Sequence, residues 1–143
     1  MIVVDANLLL YAYDPDCSRH DASRRWLEDV LSGPELVRFT WLTLWAFIRI
    51  STNSQVFVRP LSAAEAHAAV ASWLQQPNAG VLEPGERHLE LLGALLAAGQ
   101  AAGALVMDAA LAAIAMEHGA TLCSTDRDFS RFAELDWHNP IES

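Results

Sequence analysis

The chain has 143 residues, of which 52% are hydrophobic and 19% charged, and this length and composition predict one ordered globular domain rather than a disordered chain. Its formal net charge of −9 excludes a broad basic surface for nucleic acid, so any chemistry on nucleic acid would require bound cations or a local arginine cluster. All nine basic residues are arginine, and the lack of lysine excludes P-loop and Schiff-base chemistry.

The first dozen residues contain the strongest local signal. Ile2, Val3 and Val4 form a β-branched run that predicts a buried strand, and Asn7 opens an apolar run with helical character. Asp5 lies between the two, at the carboxyl end of the strand, which is the edge where open α/β sheets bind ligands. Asp5 is equally well placed to act only as the N-cap of the helix, and this stretch by itself does not distinguish the two roles.

The rest of the chain alternates between predicted helices and short predicted strands. The helices cover approximately 18–32, 40–52, 62–75, 84–98 and 105–118, and the strands cover 36–39, 80–82, 121–123 and the residues around Trp137. Ser18 is the expected cap of the first of these helices, and Gly119 is expected to close the last one. This alternation predicts an α/β fold of three layers, with a mostly parallel central sheet flanked by helices, in a single domain over residues 1–143.

Four tryptophans fall within the predicted helices. Trp26, Trp41, Trp45 and Trp73 are all surrounded in sequence by apolar residues. Large aromatic side chains in such segments usually contribute to the core. We therefore expect these tryptophans to pack internally rather than to stack on nucleobases.

Cysteine content and hydropathy restrict the class of protein further. Cys17 and Cys123 are the only cysteines and are not clustered, so they predict neither a disulfide framework nor a zinc site. The N-terminus lacks the basic region of a signal peptide, and the uncharged stretch 91–107 is too short and too rich in glycine to span a membrane. We expect a cytoplasmic protein without a membrane segment.

Two further carboxylates are predicted to reach the same sheet edge as Asp5. Asp108 lies near the start of an otherwise apolar helix, and Asp126 closely follows the strand at 121–123. Each has an ordinary explanation on its own: a carboxylate favours a helix N-terminus, and the stretch from Thr125 to Asp128 fits a capping box in which Asp126 is merely polar. All three together are less easily explained this way, because parallel strands bring these turns to one edge.

Carboxylates that are crowded together repel one another unless they are protonated or bridged by a cation. A cluster with only oxygen ligands suits Mg²⁺ or Mn²⁺, and such an ion can activate a water and stabilise the leaving oxygen of a phosphodiester. The five histidines show no metal-ligand spacing. A phosphoacceptor domain also gathers aspartates at a sheet edge, but the lack of lysine argues against it.

Four segments, taken in order, resemble a known family. They are VVDANLLLY at 3–11, FIRIST at 47–52, DAALA at 108–112 and STDRDF at 124–129. Together they resemble PIN-domain nucleases, and more narrowly the VapC-type toxins of bacterial toxin–antitoxin systems, over essentially the whole chain.

The resemblance implies a PIN-like fold and an endoribonuclease that depends on Mg²⁺ or Mn²⁺ and hydrolyses RNA phosphodiesters. It also implies a homodimer that a VapB-type antitoxin protein holds inactive. Asp5, Asp108 and Asp126 match the family's metal-binding and catalytic acidic positions. Asn7 matches the polar residue that supports the first aspartate, and Asp128 is a candidate for a carboxylate just outside the ligand set.

One position departs from the family. Many members carry a glutamate three residues before the arginine that Arg49 matches, and here that position is Ala46. A water, Thr43 or Asp128 are the candidates to replace it. We expect weaker metal affinity with activity retained, and the alternative is a catalytically weak or inactive PIN module that binds antitoxin or RNA. Arg49 itself either holds RNA phosphate or a carboxylate at the acidic edge, or extends into solvent from the helix end.

Overall fold

In the computed structural model, which describes residues 1–142, the centre of the fold is a sheet of five parallel strands. The strands are β1 (Ile2–Val4), β2 (Val37–Phe39), β3 (Ala79–Val81), β4 (Thr121–Cys123) and β5 (Trp137–His138). They lie in the order β3-β2-β1-β4-β5, and every adjacent pair is parallel. The predicted parallel sheet is therefore confirmed, and each predicted strand is present within a residue or two of its expected position.

Helices cover both faces of this sheet, as the α/β prediction requires. They are α1 (Ala6–Ala12), α2 (His20–Ser32), α3 (Trp41–Ser51), α4 (Ala63–Leu74), α5 (His88–Ala98) and α6 (Leu105–Glu117), followed by a 3-10 helix at Arg127–Arg131. Over the described residues, no helix has the length and apolar character that crossing a bilayer requires.

Strand β1 separates the core into two layers, because successive side chains of a strand point to opposite faces of the sheet. Val4 packs with Leu8 and Phe47 on the side that α1 to α4 cover. Val3 packs with Leu122 on the side that α5 and α6 cover. Val3 and Val4 are both fully buried, so the position of the residue that follows them, Asp5, is fixed by the core.

The strand order reverses direction between β1 and β4. From β1 the chain adds β2 and β3 on one side, and it then returns to add β4 and β5 on the other side. At such a point the helices leave to opposite faces and a crevice opens at the carboxyl ends of the strands. Asp5 and Ser124 are the first residues beyond β1 and β4, and the Asp5 N–H donates to the Cys123 carbonyl across this gap at 3.0 Å.

The start of α2 differs from its prediction. The helix begins at His20, Arg19 occupies the cap position, and no side chain caps it, so the prediction that Ser18 is the cap is wrong. The preceding residues form consecutive hydrogen-bonded turns, in which Cys17 N–H donates to Asp14 and His20 N–H donates to Cys17. These turns delay the start of the regular helix.

The start of α5 also differs from its prediction, since the helix begins at His88 rather than at Pro84. The Glu117 carboxylate, at the end of α6, accepts hydrogen bonds from the backbone N–H groups of Gly85 and Arg87 at 2.8 and 3.0 Å. This tether holds the segment before His88 as a loop.

The expectation for the tryptophans is correct for Trp73, which is 2% exposed, and wrong for Trp41 and Trp45, which are 41% and 61% exposed. Helix α3 is apolar nearly all round, but only one of its faces packs inward, through residues such as Leu44 and Phe47. The opposite face carries Trp41 and Trp45 at the surface of the chain.

Candidate active site

Asp5 occupies the turn between β1 and α1, where it caps the helix and also lies at the edge of the sheet. Its Oδ1 accepts a hydrogen bond from the Ala6 N–H at 2.8 Å and caps α1. Its Oδ2 accepts a hydrogen bond from the Ser124 hydroxyl at 2.7 Å, across the crevice. Burial raises the pKa of Asp5, although both hydrogen bonds act in the opposite direction. Capping and a place at the sheet edge are therefore compatible.

Ser124 is a connecting residue for which the sequence predicted no role. It is fully buried, and its hydroxyl donates to Asp5 while accepting from the Asn7 side-chain amide at 3.2 Å and from the Asp126 N–H at 3.0 Å. One donor and two acceptor sites exhaust the capacity of a hydroxyl. Asn7 therefore reaches Asp5 through Ser124. The available sequence signal is a small hydroxyl residue directly after β4.

The turn after β4 positions Asp126 and Asp128. Asp126 is the N-cap of the 3-10 helix, and its Oδ1 accepts a hydrogen bond from the Asp128 N–H at 2.8 Å. The interpretation in which Thr125 caps this turn and Asp126 is merely polar is therefore wrong. The second carboxylate oxygen of Asp126 accepts no hydrogen bond from residues 1–142.

Asp108 reaches the same place from the first turn of α6. One carboxylate oxygen from each of Asp108, Asp126 and Asp128 lies within 4.8 Å of the other two, and we call these three residues the aspartate group. Burial, followed by the negative charges of Asp126, Asp5 and Asp128, raises the pKa of Asp108 to about 6.

The aspartate group has the chemistry of a site for a hard divalent cation. Oxygens on opposite sides of such an ion lie roughly 4–5 Å apart when each bond measures about 2.0–2.6 Å. After burial, the negative charges of Asp126, Asp5 and Asp128 are the next causes of the raised pKa of Asp108, and a cation would relieve the repulsion among these carboxylates. The residues that are present therefore fit a divalent ion.

A cavity of about 320 Å³ adjoins these carboxylates, and we call it the acidic cavity. Asp5, Asp108 and Arg49 line it, together with Thr43 and Ala46 of α3. Arg49 is exposed and forms no ion pair with a carboxylate within residues 1–142. It thus faces solvent and the cavity at once, which leaves its guanidinium available to a phosphate.

Arg131 is a second basic residue at the site, and it was not among the residues that the sequence singled out. Its guanidinium donates to the backbone carbonyls of Gly99 at 3.0 Å and Asp128 at 3.2 Å, and lies 3.8 Å from the Asp128 carboxylate. Its positive charge acts to lower the pKa of Asp108. The sequence signal for Arg131 is its position three residues after Asp128, within a predicted helical turn.

Comparison with known proteins identifies the family. The PIN domain profile matches residues 2–135. Ribonuclease VapC37 of Mycobacterium tuberculosis is 43% identical over 140 residues, which cover 98% of this chain and 97% of that protein. Ribonuclease VapC33 of the same species is 40% identical over 141 residues, which cover 99% of each chain.

The chain belongs to the VapC family of PIN-domain proteins. Solved structures agree at the level of the fold. The VapBC2 structure from Rickettsia felis, bound to a promoter DNA fragment, superimposes with a TM-score of 0.70 at 18% identity, over 97% of this chain and 98% of that chain. Mycobacterium tuberculosis VapC20, described as a toxin that cleaves the sarcin–ricin loop, gives a TM-score of 0.69 at 19% identity, over 95% and 98%.

In this VapC, the α3 wall of the acidic cavity contains Ala46 at the position where the family resemblance predicts a glutamate. Ala46 lies there without an oxygen ligand, and the hydroxyl of the neighbouring Thr43 already accepts a hydrogen bond from Thr40 at 3.2 Å. Of the side chains considered as replacements for the missing glutamate, Asp128 is the one that shares a group with Asp108.

Proposed function

We propose that this chain is the toxin of a VapB–VapC pair, an endoribonuclease that hydrolyses RNA phosphodiesters with Mg²⁺ or Mn²⁺. The observation that carries this proposal is the aspartate group: Asp108 comes from α6, Asp126 and Asp128 come from the turn after β4, and one oxygen of each lies within 4.8 Å of the others, while the pKa of Asp108 is raised to about 6. A perturbed pKa with identified charged neighbours, inside a crevice, is typical of functional sites.

Each carboxylate has its own part in this proposal. Asp5, Asp108 and Asp126 hold the cation and are the catalytic residues; Asp5 lies outside the aspartate group, but it lines the same cavity as Asp108 and its charge acts on Asp108. Asn7 keeps Asp5 in place through their shared contact with the Ser124 hydroxyl. Asp128, which the resemblance placed just outside the ligand set, is close enough to Asp108 to complete it where Ala46 offers no oxygen.

The cation and Arg49 have separate roles in the proposed reaction. When bound, a divalent ion supplies Lewis-acid chemistry, which lowers the pKa of a water and neutralises charge on a leaving oxygen. Arg49 lines the same cavity as Asp5 and Asp108, and its guanidinium is positioned to hold a phosphate of the strand by paired hydrogen bonds. The chain itself, at a net charge of −9, has little other positive charge to offer.

The relatives support the biological setting. They are named ribonucleases, and solved neighbours include the VapBC2 structure of Rickettsia felis and VapBC-1 of Haemophilus influenzae. We therefore propose a VapB-type antitoxin as the protein partner, RNA as the substrate, a homodimer as the assembly, a single PIN domain over residues 1–143, and a cytoplasmic location. The acidic surface suits a basic segment of the antitoxin.

The direct test is incubation of the purified chain with total RNA and Mn²⁺, with and without EDTA, followed by mapping of the new ends. We expect discrete cleavage that EDTA abolishes. Asp126→Asn should abolish cleavage and preserve the fold, because the asparagine side-chain oxygen can still accept the hydrogen bond from the Asp128 N–H and cap the turn.

Asp29→Asn is the matched control, since it removes one carboxylate from the exposed surface of α2. Cleavage by Asp126→Asn at the rate of this control would refute the assignment. Mn²⁺ binding without any cleavage would instead favour the alternative, a catalytically inactive PIN module. The reason to consider this alternative is that Ala46 offers no oxygen ligand.

A further inference from the structure

Trp41 and Trp45 have no part in the proposed machinery, although they adjoin it. They lie one turn apart on α3 and are 41% and 61% exposed. Their rings stack on each other, with centroids 6.3 Å apart and planes inclined by 28°. Tryptophan is normally well buried, so two stacked indoles at the surface form a preassembled aromatic platform that this chain leaves uncovered.

A second cavity lies against these rings. Its volume is about 380 Å³, Trp41 and Trp45 form part of its wall, and we call it the aromatic cavity. Trp45 and Leu42 line this cavity and also the acidic cavity that contains Asp108. The aromatic cavity is therefore the immediate neighbour of the proposed cleavage site, with one indole as the shared wall.

Hydrogen-bonding groups accompany the apolar surface of the aromatic cavity. His88 lines it, and its Nδ1 is buried with no hydrogen-bond partner in the part of the chain that the structure describes. Glu83 lines it as well and is exposed. A flat aromatic surface beside a few polar groups is the arrangement that proteins use to stack a single-stranded base and to read its edge.

We propose that the aromatic cavity binds a nucleobase of the RNA strand, at a nucleotide that flanks the cleaved phosphodiester. Trp45, with Trp41 behind it, is the stacking platform. This inference rests on the proposed function, because the strand has to enter the acidic cavity for a neighbouring base to reach Trp45.

Charge explains why bases rather than phosphates would contribute the affinity. At a net charge of −9 the chain can neutralise few phosphates, whereas stacking depends little on the net charge of the protein. Continuity with the acidic cavity favours RNA over a protein partner on this face. A protein that covered Trp45 would cover a wall of the acidic cavity as well, and a stacked base leads the strand into it.

The test measures steady-state cleavage in Mn²⁺ of a short RNA whose cut site has been mapped, with a single abasic nucleotide placed in turn at each flanking position. At one position we expect loss of the base to raise KM about tenfold for the unmodified chain and for Trp45→Phe. Trp45→Ala should show the raised KM already with intact RNA, should gain no further increase from the abasic nucleotide, and should leave kcat within about twofold.

Val58→Ala is the matched control, because Val58 is 79% exposed and lines neither cavity. If the unmodified chain cleaves RNA and no position shows this coupling to Trp45, the base site is wrong and the proposed function stands. If the unmodified chain cleaves no RNA, both fall. Sedimentation velocity provides the remaining arm: a dimer that Trp45→Ala converts to a monomer would show that the tryptophan face is a subunit interface and would overturn the base site.

Discussion

Asp5 and Asp108 line the same cavity, but the protein surrounds them differently. Both oxygens of Asp5 accept hydrogen bonds, one from the backbone of Ala6 and one from the buried Ser124 hydroxyl. The Asp108 carboxylate accepts no hydrogen bond from residues 1–142, and its charged neighbours are chiefly other carboxylates. Burial raises the pKa of both residues, and only Asp5 has hydrogen bonds that compensate.

This contrast separates Asp5, which the fold orients by hydrogen bonds, from Asp108, which the fold leaves unsatisfied. Asp5 is held at the end of β1 whether or not an ion is bound. Asp108 is destabilising by itself, because a half-buried charge that lies among like charges and accepts no hydrogen bond costs free energy. A cation would supply the missing positive charge. Without metal at pH 7, substitution of Asp108 should therefore raise the free energy of unfolding, whereas substitution of the residue that orients Asp5 should lower it.

The largest effect is expected from Asp108→Asn, which removes the carboxylate that the fold leaves without a hydrogen bond. We expect the rate of RNA cleavage to fall by more than about 100-fold, beyond the range for residues that only support a metal ligand. Mn²⁺ affinity, measured by calorimetry, should fall with it, while Asp29→Asn leaves both unchanged. Cleavage within a few fold of the unmodified chain would remove Asp108 from the catalytic set.

Ser124→Ala tests the oriented region and should have the next largest effect. It deprives Asp5 of a hydrogen bond and leaves the Asp126 N–H without its acceptor. We expect Mn²⁺ affinity to fall about 10- to 100-fold and the free energy of unfolding to fall by about 1–3 kcal/mol.

Ser130→Ala is the control for this substitution, because that exposed hydroxyl bonds only to the local Arg127 carbonyl. Denaturant unfolding and calorimetry give the two readouts. A normal Mn²⁺ affinity in a destabilised Ser124→Ala would restrict Ser124 to a role in stability.

The placement of Asp5, Asp108 and Asp126 at one sheet edge was predictable from local patterns, whereas the grouping of Asp128 with Asp108 and Asp126 was not. A β-branched run followed directly by a carboxylate identifies β1 and its end, and the alternation of elements implies parallel strands whose carboxyl ends meet. An aspartate within the apolar segment that forms α6 indicates a polar site, because a carboxylate there is costly without one. Each of these signals lies within a few neighbouring residues, so the sequence contains them.

Asn7 and Ser124, which are linked to Asp5 by hydrogen bonds, were not predictable as partners in the same way. The hydrogen bond from Asn7 to Ser124 joins residues 117 positions apart, and no local pattern reports it. The exposure of Trp41 and Trp45 was missed for a related reason: apolar composition shows that α3 is hydrophobic, but which of its faces is covered depends on where α1 and α4 pack. Side-chain partners and uncovered faces are set by tertiary structure.

Ala46→Glu would add a carboxylate to the cavity wall near Asp108, at the position where the family resemblance predicts a glutamate. A further carboxylate in the wall of the acidic cavity should raise Mn²⁺ affinity about tenfold, since affinity for hard cations rises with the number of charged oxygen ligands. Ala46→Gln, of similar size and without charge, is the control. Equal Mn²⁺ affinity in Ala46→Glu and Ala46→Gln would show that Asp128 already completes the ligand set.

The smallest effect concerns the pH dependence of stability without metal. Because the folded state raises the pKa of Asp108 from 3.8 to about 6, the folded chain keeps this proton over a range in which the unfolded chain has lost it. The contribution of Asp108 to stability is therefore present below about pH 4, declines as the pH rises to about 6, and is absent above it.

The measurement compares free energies of unfolding in EDTA. Asp108→Asn should have the same free energy of unfolding as the unmodified chain at pH 4 and a higher one at pH 7, by roughly 1 kcal/mol after allowance for solvent screening, or about 3 °C in Tm. Saturating Mn²⁺ at pH 7 should reverse the order, because an ion stabilises only the chain that binds it. A difference in Tm that stays constant between pH 4 and pH 7 would mean that Asp108 is not held among uncompensated charges, and the contrast with Asp5 would disappear.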